Sequence, residues 1–309
     1  MLPILLKTLP FFAVIGLGYV AARTRFISTE AVAGLTRFVF YFALSAMLFG
    51  FAANLSLSAI FSTRFLLAYL TGSLVLWALA FTISRLRHAR LDEAAMEAHC
   101  TVSGNTGFLG VPMLVMLMGK QAAGPVLMVL TTDMIVFSTL VTLMITAARE
   151  RRMRWETLRI LALGLLGNPM IVSMVLGLVW AATGRSLWPP VNDFLTLLGA
   201  AATPGALFAI GASLAGRSAE RLSTAIWISA GKLVLHPALV AFSALVLYGV
   251  DRAQAGVMIA AASLPVAGNV YILAQHFGVA PQRVSTSILI STAVSILTVT
   301  AVIAWTTTH

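Results

Sequence analysis

Charged side chains are scarce in this chain: aspartate, glutamate, lysine and arginine together make up 10% of its 309 residues. Soluble globular domains carry about 25% charged residues, whereas 60% of this chain is hydrophobic. The composition therefore indicates a polytopic membrane protein and leaves little length for a soluble domain. Cysteine is scarcer still, since Cys100 is the only one, which excludes an internal disulfide bond and a cysteine-based metal cluster.

Acidic residues are half as numerous as basic ones, 10 against 20, and the formal net charge is +10. A strongly basic balance can indicate nucleic-acid binding. Here, however, the basic residues lie in short connectors between apolar segments, with the largest group at 149–154. This placement matches the positive-inside rule for membrane proteins. The expected partner is therefore the lipid bilayer, and no nucleic acid is expected.

Apolar windows of roughly 20 residues, the length that crosses a bilayer, predict ten spans. They cover residues 2–22, 31–52, 63–84, 94–118, 124–147, 158–182, 190–215, 222–249, 253–277 and 283–306. The first span lacks a convincing cleavage site and is interpreted as a retained helix. Arginines are concentrated in the odd-numbered connectors, so we expect these connectors to be cytoplasmic and both termini to lie outside the plasma (inner) membrane.

The two halves of the chain are similar at a constant offset of 159 positions. This offset aligns Gly18 with Gly177, Phe49 with Phe208, Gly72 with Gly231 and Gly119 with Gly278. Each unit contains five spans, and an odd number requires the second unit to be inverted in the membrane. The predicted organisation is a first five-helix repeat at 1–147, a cytoplasmic connector at 148–157 and an inverted second repeat at 158–309.

Two corresponding spans contain polar, glycine-rich interruptions. Span 4 is broken by Ser103-Gly104-Asn105-Thr106-Gly107, and span 9 by Ser263-Leu264-Pro265-Val266-Ala267-Gly268-Asn269. A lipid-exposed break would leave backbone N–H and C=O groups unpaired, which is costly, so such breaks survive only inside protein or beside a water-filled cavity. Matched breaks in two halves indicate a transporter substrate site. The candidate substrate-binding residues are Ser103, Gly104, Asn105, Thr106, Pro265 and Asn269.

These breaks have chemistry that suits a carboxylate. The N-terminal ends of half-helices carry partial positive charge and bind anions. The side chains of Ser103, Asn105, Thr106 and Asn269 add neutral hydrogen-bonding groups that permit reversible binding. The competing interpretation is that small residues here only let helices pack closely.

Several motifs resemble the auxin efflux carrier family, in its bacterial branch of PIN-like organic-acid permeases. The most specific are Asn-Thr-Gly-Phe-Leu-Gly-Val-Pro at 105–112, Pro-Gly-Ala-Leu-Phe-Ala-Ile-Gly-Ala-Ser-Leu at 204–214, and Leu264-Pro265 followed by Asn269. The resemblance extends over essentially the whole chain. It implies an all-α integral membrane fold of ten transmembrane helices in two inverted five-helix repeats, with broken helices 4 and 9 crossing, as in PIN carriers and bile-acid symporters.

The resemblance also implies that the helices form two groups with different roles. Helices 1, 2, 6 and 7 would form a scaffold that dimerises, and helices 3, 4, 5, 8, 9 and 10 a mobile transport domain. Scaffold groups such as Ser45 and Phe208 would close the pocket. The chain departs from the family pattern at Gly104 and Ser45, where proline is usual, and in helix 3, which has no acidic residue between Phe65 and Ser84.

Charged residues inside spans are rare because each costs roughly 2.5–3.5 kcal/mol at the bilayer centre on insertion scales. Asp133 lies near the middle of span 5, and Lys232 lies in span 8 with His236 one turn later. We expect Asp133 and Lys232 to face the interior and to pair with each other or with the broken helices. Asp133, Lys232 and His236 are candidates for a proton or charge relay; the alternative is a structural pair that fixes helix packing.

The sequence therefore predicts a secondary transporter that moves small organic anions by an elevator-type mechanism, with the substrate at the crossing of helices 4 and 9. A sodium/proton antiporter of the same architecture is the alternative, although neither break contains a carboxylate. Because enzyme motifs such as His-Glu-x-x-His are absent, an intramembrane enzyme is not favoured. A scaffold protein or receptor would not need two matched breaks. No cofactor is expected, and coupling to H⁺, to Na⁺ or to neither stays open.

Overall fold

The computed structural model describes residues 2–54, 62–149, 163, 166–216 and 222–308. Apart from one isolated β-bridge, the regular structure of these residues is helical. Most of the predicted connector at 148–157 and the beginning of span 6 lie outside the described residues.

The helices fall at the positions of the predicted spans and are numbered accordingly. They are α1 (Leu2–Arg23), α2 (Thr29–Ala53), α3 (Thr63–Leu86), α4a (Leu91–Val102), α4b (Thr106–Met118), α5 (Lys120–Ala148), α6 (Pro169–Ala182), α7 (Pro189–Leu214), α8 (Leu222–Leu247), α9a (Arg252–Ala262), α9b (Gly268–Phe277) and α10 (Pro281–Thr308).

Seven of these helices are long and apolar enough to cross a membrane: α1, α2, α3, α5, α7, α8 and α10. α4b and α6 are shorter apolar helices. Both predicted breaks are present, because α4a ends before Ser103 and α9a ends before Ser263. The helix that would form span 4 is therefore divided into two pieces, and so is the helix of span 9.

Glycines bring helices of the two halves into backbone contact. A Cβ atom at Gly211 of α7 would lie 1.8 Å from the carbonyl oxygen of Ile15 in α1, and one at Gly18 of α1 would lie 2.1 Å from that of Phe208 in α7. Gly177 of α6 approaches the Phe49 carbonyl of α2 in the same way. Small residues permit such close helix packing in membranes, where apolar burial drives association little. The helices α1, α2, α6 and α7 are thus closely packed in the pairs α1–α7 and α2–α6.

A compact set of ion pairs joins α3, α4a and α10 at one end of the molecule. Arg283 of α10 binds Glu93 at 3.1 Å and Glu97 at 2.8 Å, both in α4a. Glu97 also accepts hydrogen bonds from Arg87, which follows α3, and from Ser84 of α3. Because the Glu97 side chain is only 4% exposed, its three donors compensate the cost of burying a carboxylate. The network fixes α4a against α3 and α10.

The packing of α1 on α7 predicts that Gly211→Ala lowers the thermal stability of the purified protein. The added methyl group has no room beside the Ile15 carbonyl, and overpacking costs about 1–3 kcal/mol. Gly16→Ala in α1 is the matched control, because nothing lies within 4 Å of a Cβ atom there. Thermal unfolding of both variants in the same detergent tests the prediction, and equal unfolding temperatures would contradict it.

Candidate functional site

The two breaks pair with each other through their backbones. The N–H of Asn105 donates to the carbonyl oxygen of Pro265 at 2.8 Å, and the N–H of Ala267 donates to that of Ser103 at 3.1 Å. These two bonds form an antiparallel bridge between Gly104 and Val266. Each break thus satisfies backbone groups of the other, so unwound backbone is tolerated at this depth. The two breaks therefore meet at Gly104 and Val266, and we call this meeting point the crossing.

Further groups complete the hydrogen bonding of the crossing. The N–H of Val266 donates to Ser291 Oγ of α10 at 3.1 Å. The Asn105 carbonyl accepts from Leu109 and Gly110 at 3.0 and 2.9 Å, which begins α4b. α4b and α9b therefore both start at the crossing. Their N-terminal ends place partial positive charge there, in addition to the buried Lys232, whose Nζ would lie 3.3 Å from a Cβ atom at Gly104.

A cavity of about 790 Å³ ends on this crossing. Its walls come from α1, α2, α6 and α7 on one side and from α4, α5 and α9b on the other. The charged residues among its described lining are Arg23, Arg25 and Asp133. The cavity is therefore polar at the crossing and carries more positive than negative charge, an environment that suits an anion.

Five of the predicted site residues line the cavity: Ser103, Gly104, Asn105, Asn269 and Asp133. The side chain of Asn105 is nearly buried, whereas Asn269, in the first turn of α9b, is exposed to the cavity. Two broken segments that are more than 150 residues apart in the chain thus contribute to one wall.

Four other predicted residues lie close by or elsewhere and are not part of the lining. Pro265 contributes its carbonyl to the crossing, and Thr106 is buried at the start of α4b. Ser45 donates a hydrogen bond to the Phe40 carbonyl within α2, at 3.2 Å. Phe208 lies in the close contact of α7 with Gly18. Neither Ser45 nor Phe208 is among the described residues that line the cavity.

The cavity also includes polar residues that sequence reasoning did not select, among them Arg25, Asn168 and Gln275. Arg23 and Arg25 are among the arginines of the odd-numbered connectors, which indicate orientation through the positive-inside rule and do not indicate binding. Asn168 caps α6, where its Oδ1 accepts from the Met170 N–H at 3.0 Å. The Asn-Pro pair at 168–169 is a signal for a helix start, but it does not indicate what the side chain faces.

Asp133 is buried against α3 and the crossing. Its Oδ1 accepts a hydrogen bond from the Tyr69 hydroxyl at 2.7 Å, and the residue is 4% exposed. Gly104 and Thr106 lie near the carboxyl group, but Thr106 Oγ1 makes no hydrogen bond within the described residues. The second oxygen of Asp133, Oδ2, has no hydrogen-bond partner among the described residues. The carboxyl group is therefore half satisfied, at the edge of the cavity.

Lys232 binds the C-terminal end of α9a. Its Nζ donates to the carbonyl oxygen of Ala262, the last residue of α9a, and lies 3.0 Å from His236 Nδ1. His236 Nε2 in turn lies 2.8 Å from Ser73 Oγ of α3. A lysine at the carbonyl end of a helix complements the helix dipole. Within the described residues, no ion pair of 4.0 Å or less joins Lys232 to Asp133, although the two charges interact and both lie close to Gly104.

Comparison with known proteins identifies the class of molecule that carries this site. A family described as "Membrane transport protein" matches residues 3–303. The chain belongs to this transporter family. A protein of Rhizobium meliloti (strain 1021) named "Putative malonate transporter" is 34% identical over 301 residues, which cover 96% of this chain and 93% of that protein. The resemblance to the auxin efflux carrier family is thereby confirmed.

Membership of this family confirms the prediction of a membrane transporter, and the seven long apolar helices agree with a multi-pass protein. Transporters of this family are not a class of enzyme. The cavity at the crossing belongs to a chain of this transporter family, and it is lined by residues of both halves of the chain.

Lys232→Met is expected to destabilise the transporter, because it leaves the Ala262 carbonyl and His236 Nδ1 without their buried donor. A buried group left unsatisfied costs about 1–3 kcal/mol. Lys120→Met is the matched control, since Lys120 is exposed at the start of α5. Thermal unfolding should separate the two variants, and a Lys232→Met protein as stable as wild type would show that the lysine does not hold α9a.

Proposed function

We propose that this protein is a secondary transporter of small organic anions, with the substrate carboxylate bound at the crossing of helices 4 and 9. The observation that supports this most directly is the cavity, which ends on two helix N-termini and on Asn105 and Asn269. Neutral amides and backbone N–H groups can hold a carboxylate and still release it. Weak binding of this kind suits a carrier, because the carrier must release its substrate on the other side of the membrane.

The charge of the cavity supports an anion over a cation. Arg23 and Arg25 contribute two positive charges to its described lining, against the one carboxyl group of Asp133. Charged clefts of one sign raise the local concentration of ligands of the opposite sign. The relative named as a malonate transporter suggests that a small dicarboxylate is among the substrates. We therefore select malonate as the first test substrate.

We further propose an elevator-type mechanism in the plasma membrane, in which two inverted five-helix repeats build a scaffold and a transport domain. The scaffold is α1, α2, α6 and α7, and the transport domain is α3, α4, α5, α8, α9 and α10. The glycine-mediated packing of α1 on α7 and of α2 on α6 supports the first group. The ion pairs that join α3, α4a and α10 support the second. The cavity lies between the two groups of helices, where motion of one group relative to the other would expose it to either side of the membrane.

We also propose that the protein dimerises through the scaffold and that both termini lie outside the cell.

Asn105→Ala and Asn269→Ala are expected to weaken malonate binding by roughly tenfold or more each. Both side chains line the cavity, and a hydrogen bond to a charged group contributes about 1.5–3 kcal/mol. Malonate uptake into proteoliposomes and the thermal shift caused by malonate measure the loss, since a ligand of the folded state raises its stability.

Asn192→Ala is the control for these two variants. Asn192 lies in α7 outside the cavity lining and contacts Asn54, so its loss should leave uptake near the wild-type level. Wild-type affinity in both Asn105→Ala and Asn269→Ala would contradict the assignment of the crossing as the binding site. A thermal response to Na⁺ with no response to any carboxylate would favour the cation antiporter.

A covalent link between the proposed scaffold and the proposed transport domain should stop transport. The hydroxyl groups of Thr8 in α1 and Thr300 in α10 are 2.8 Å apart and buried. In a Cys100→Ala background, we expect oxidation of the Thr8→Cys/Thr300→Cys double variant to abolish malonate uptake and a reducing agent to restore it. An elevator cannot move when scaffold and transport domain are covalently linked.

The control links two helices that both belong to the proposed scaffold. Asn54, which directly follows α2, and Asn192 in α7 have side chains 3.4 Å apart. A short bifunctional thiol reagent that joins cysteines at these positions should leave uptake intact. Full activity of the oxidised Thr8→Cys/Thr300→Cys protein would contradict the elevator mechanism.

A further inference from the structure

We propose that Asp133 is the proton-coupling group of this transporter: its Oδ2 takes up one proton as an organic anion enters the cavity, and the two cross together. The proton comes from the solution on the loading side, converts the carboxylate to a neutral carboxyl group and leaves on the unloading side. This inference rests on the proposed function, because it names the ion that accompanies the anion.

The two oxygens of Asp133 have different surroundings. Oδ1 accepts the Tyr69 hydroxyl at 2.7 Å, whereas Oδ2 is buried with no partner in the described part of the chain. A buried acceptor without a partner is unfavourable. A proton on Oδ2 turns that oxygen into a donor, and Asp133 lines the cavity. The protonated carboxyl group can therefore donate a hydrogen bond to a substrate oxygen.

An ionised Asp133 would instead repel the carboxylate of the substrate. It lies near Gly104, which adjoins the Asn105 proposed to hold the substrate carboxylate. Two carboxylates that share one poorly solvated site cannot both be ionised without strong repulsion. Anion binding and proton uptake must then favour each other, and by linkage the effect is reciprocal.

The other titratable and charged groups around Asp133 are Tyr69, Lys232 with His236, and the two arginines of the cavity. The Lys232 ammonium attracts the Asp133 carboxylate, and α4a beside it carries the buried His99, whose Nδ1 has no partner among the described residues. Tyr69 of α3 is already its donor. Lys232 of α8 is held by the Ala262 carbonyl and by His236, which also contacts Ser73. Arg23 at the end of α1 and Arg25 just after it line the same cavity, and the described lining has no second carboxylate. Asp133 is thus the acidic group that a bound anion meets.

Proton movement with malonate can be measured in proteoliposomes that contain the full-length protein and a trapped pH-sensitive dye, with the membrane voltage clamped. We expect one proton to enter with each malonate. An inward proton gradient should then raise malonate accumulation by about tenfold per unit of pH difference, the ratio set by one coupled proton. Exchange of internal for external malonate should also vary with pH.

Asp133→Asn should abolish this coupling, because the amide is similar in shape but cannot ionise. Accumulation driven by the proton gradient should fall to the level of protein-free vesicles, and the exchange that remains should no longer vary between mildly acidic and mildly alkaline buffer. Asp193→Asn is the matched control, since Asp193 lies exposed in α7 outside the cavity lining. It should keep the wild-type coupling.

Tyr69→Phe provides a second variant in case Asp133→Asn does not exchange malonate. It retains the carboxyl group and removes the donor to Oδ1, so the pH midpoint of exchange should move; an unmoved midpoint would count against Asp133. Wild-type protein that transports malonate without protons would overturn the inference and leave the proposed function intact. Proton uptake by Asp133→Asn at the wild-type ratio would overturn the assignment to Asp133. Failure to bind or move any carboxylate would instead contradict the proposed function itself.

Discussion

The architecture depends on two backbone hydrogen bonds between the broken helices, from Asn105 to Pro265 and from Ala267 to Ser103. In the hydrocarbon core of a membrane no water satisfies unwound backbone, so a break exposed to lipid would be unfavourable alone. Together the two breaks satisfy each other. This mutual dependence joins the two halves of the chain at one point and creates two helix N-termini beside the cavity.

Charge is distributed around the crossing according to the polarity of the broken helices. Asp133 lies near Gly104 and Thr106, at the start of α4b, whereas Lys232 binds the carbonyl end of α9a. Each charged side chain therefore meets a helix end of opposite partial charge. α3 supports both through Tyr69 and Ser73, so one helix connects the surroundings of the two charges.

Some site residues could be recognised in the sequence because they violate the rules for a membrane span. Gly104, Asn105, Pro265 and Asn269 interrupt apolar segments, and Asp133 and Lys232 are charges within them. Tyr69 and Ser73 break no rule, because single hydroxyl groups are common in apolar helices and indicate no partner. Which face of α2 or α7 meets the cavity depends on how these helices pack, so the contribution of Ser45 and Phe208 to substrate binding stays a prediction.

The sequence by itself determined the membrane class, the positions of the helices and the two breaks, since these follow from local hydropathy and from residues that interrupt a helix. Only the tertiary structure decided that the breaks pair, that Arg23 and Arg25 share a cavity with Asp133, and that Asp133 Oδ2 has no partner among the described residues. The physical reason is distance along the chain. Contacts such as Gly104 with Val266 join segments more than 150 residues apart, and local patterns do not record how separate helices rotate and cross.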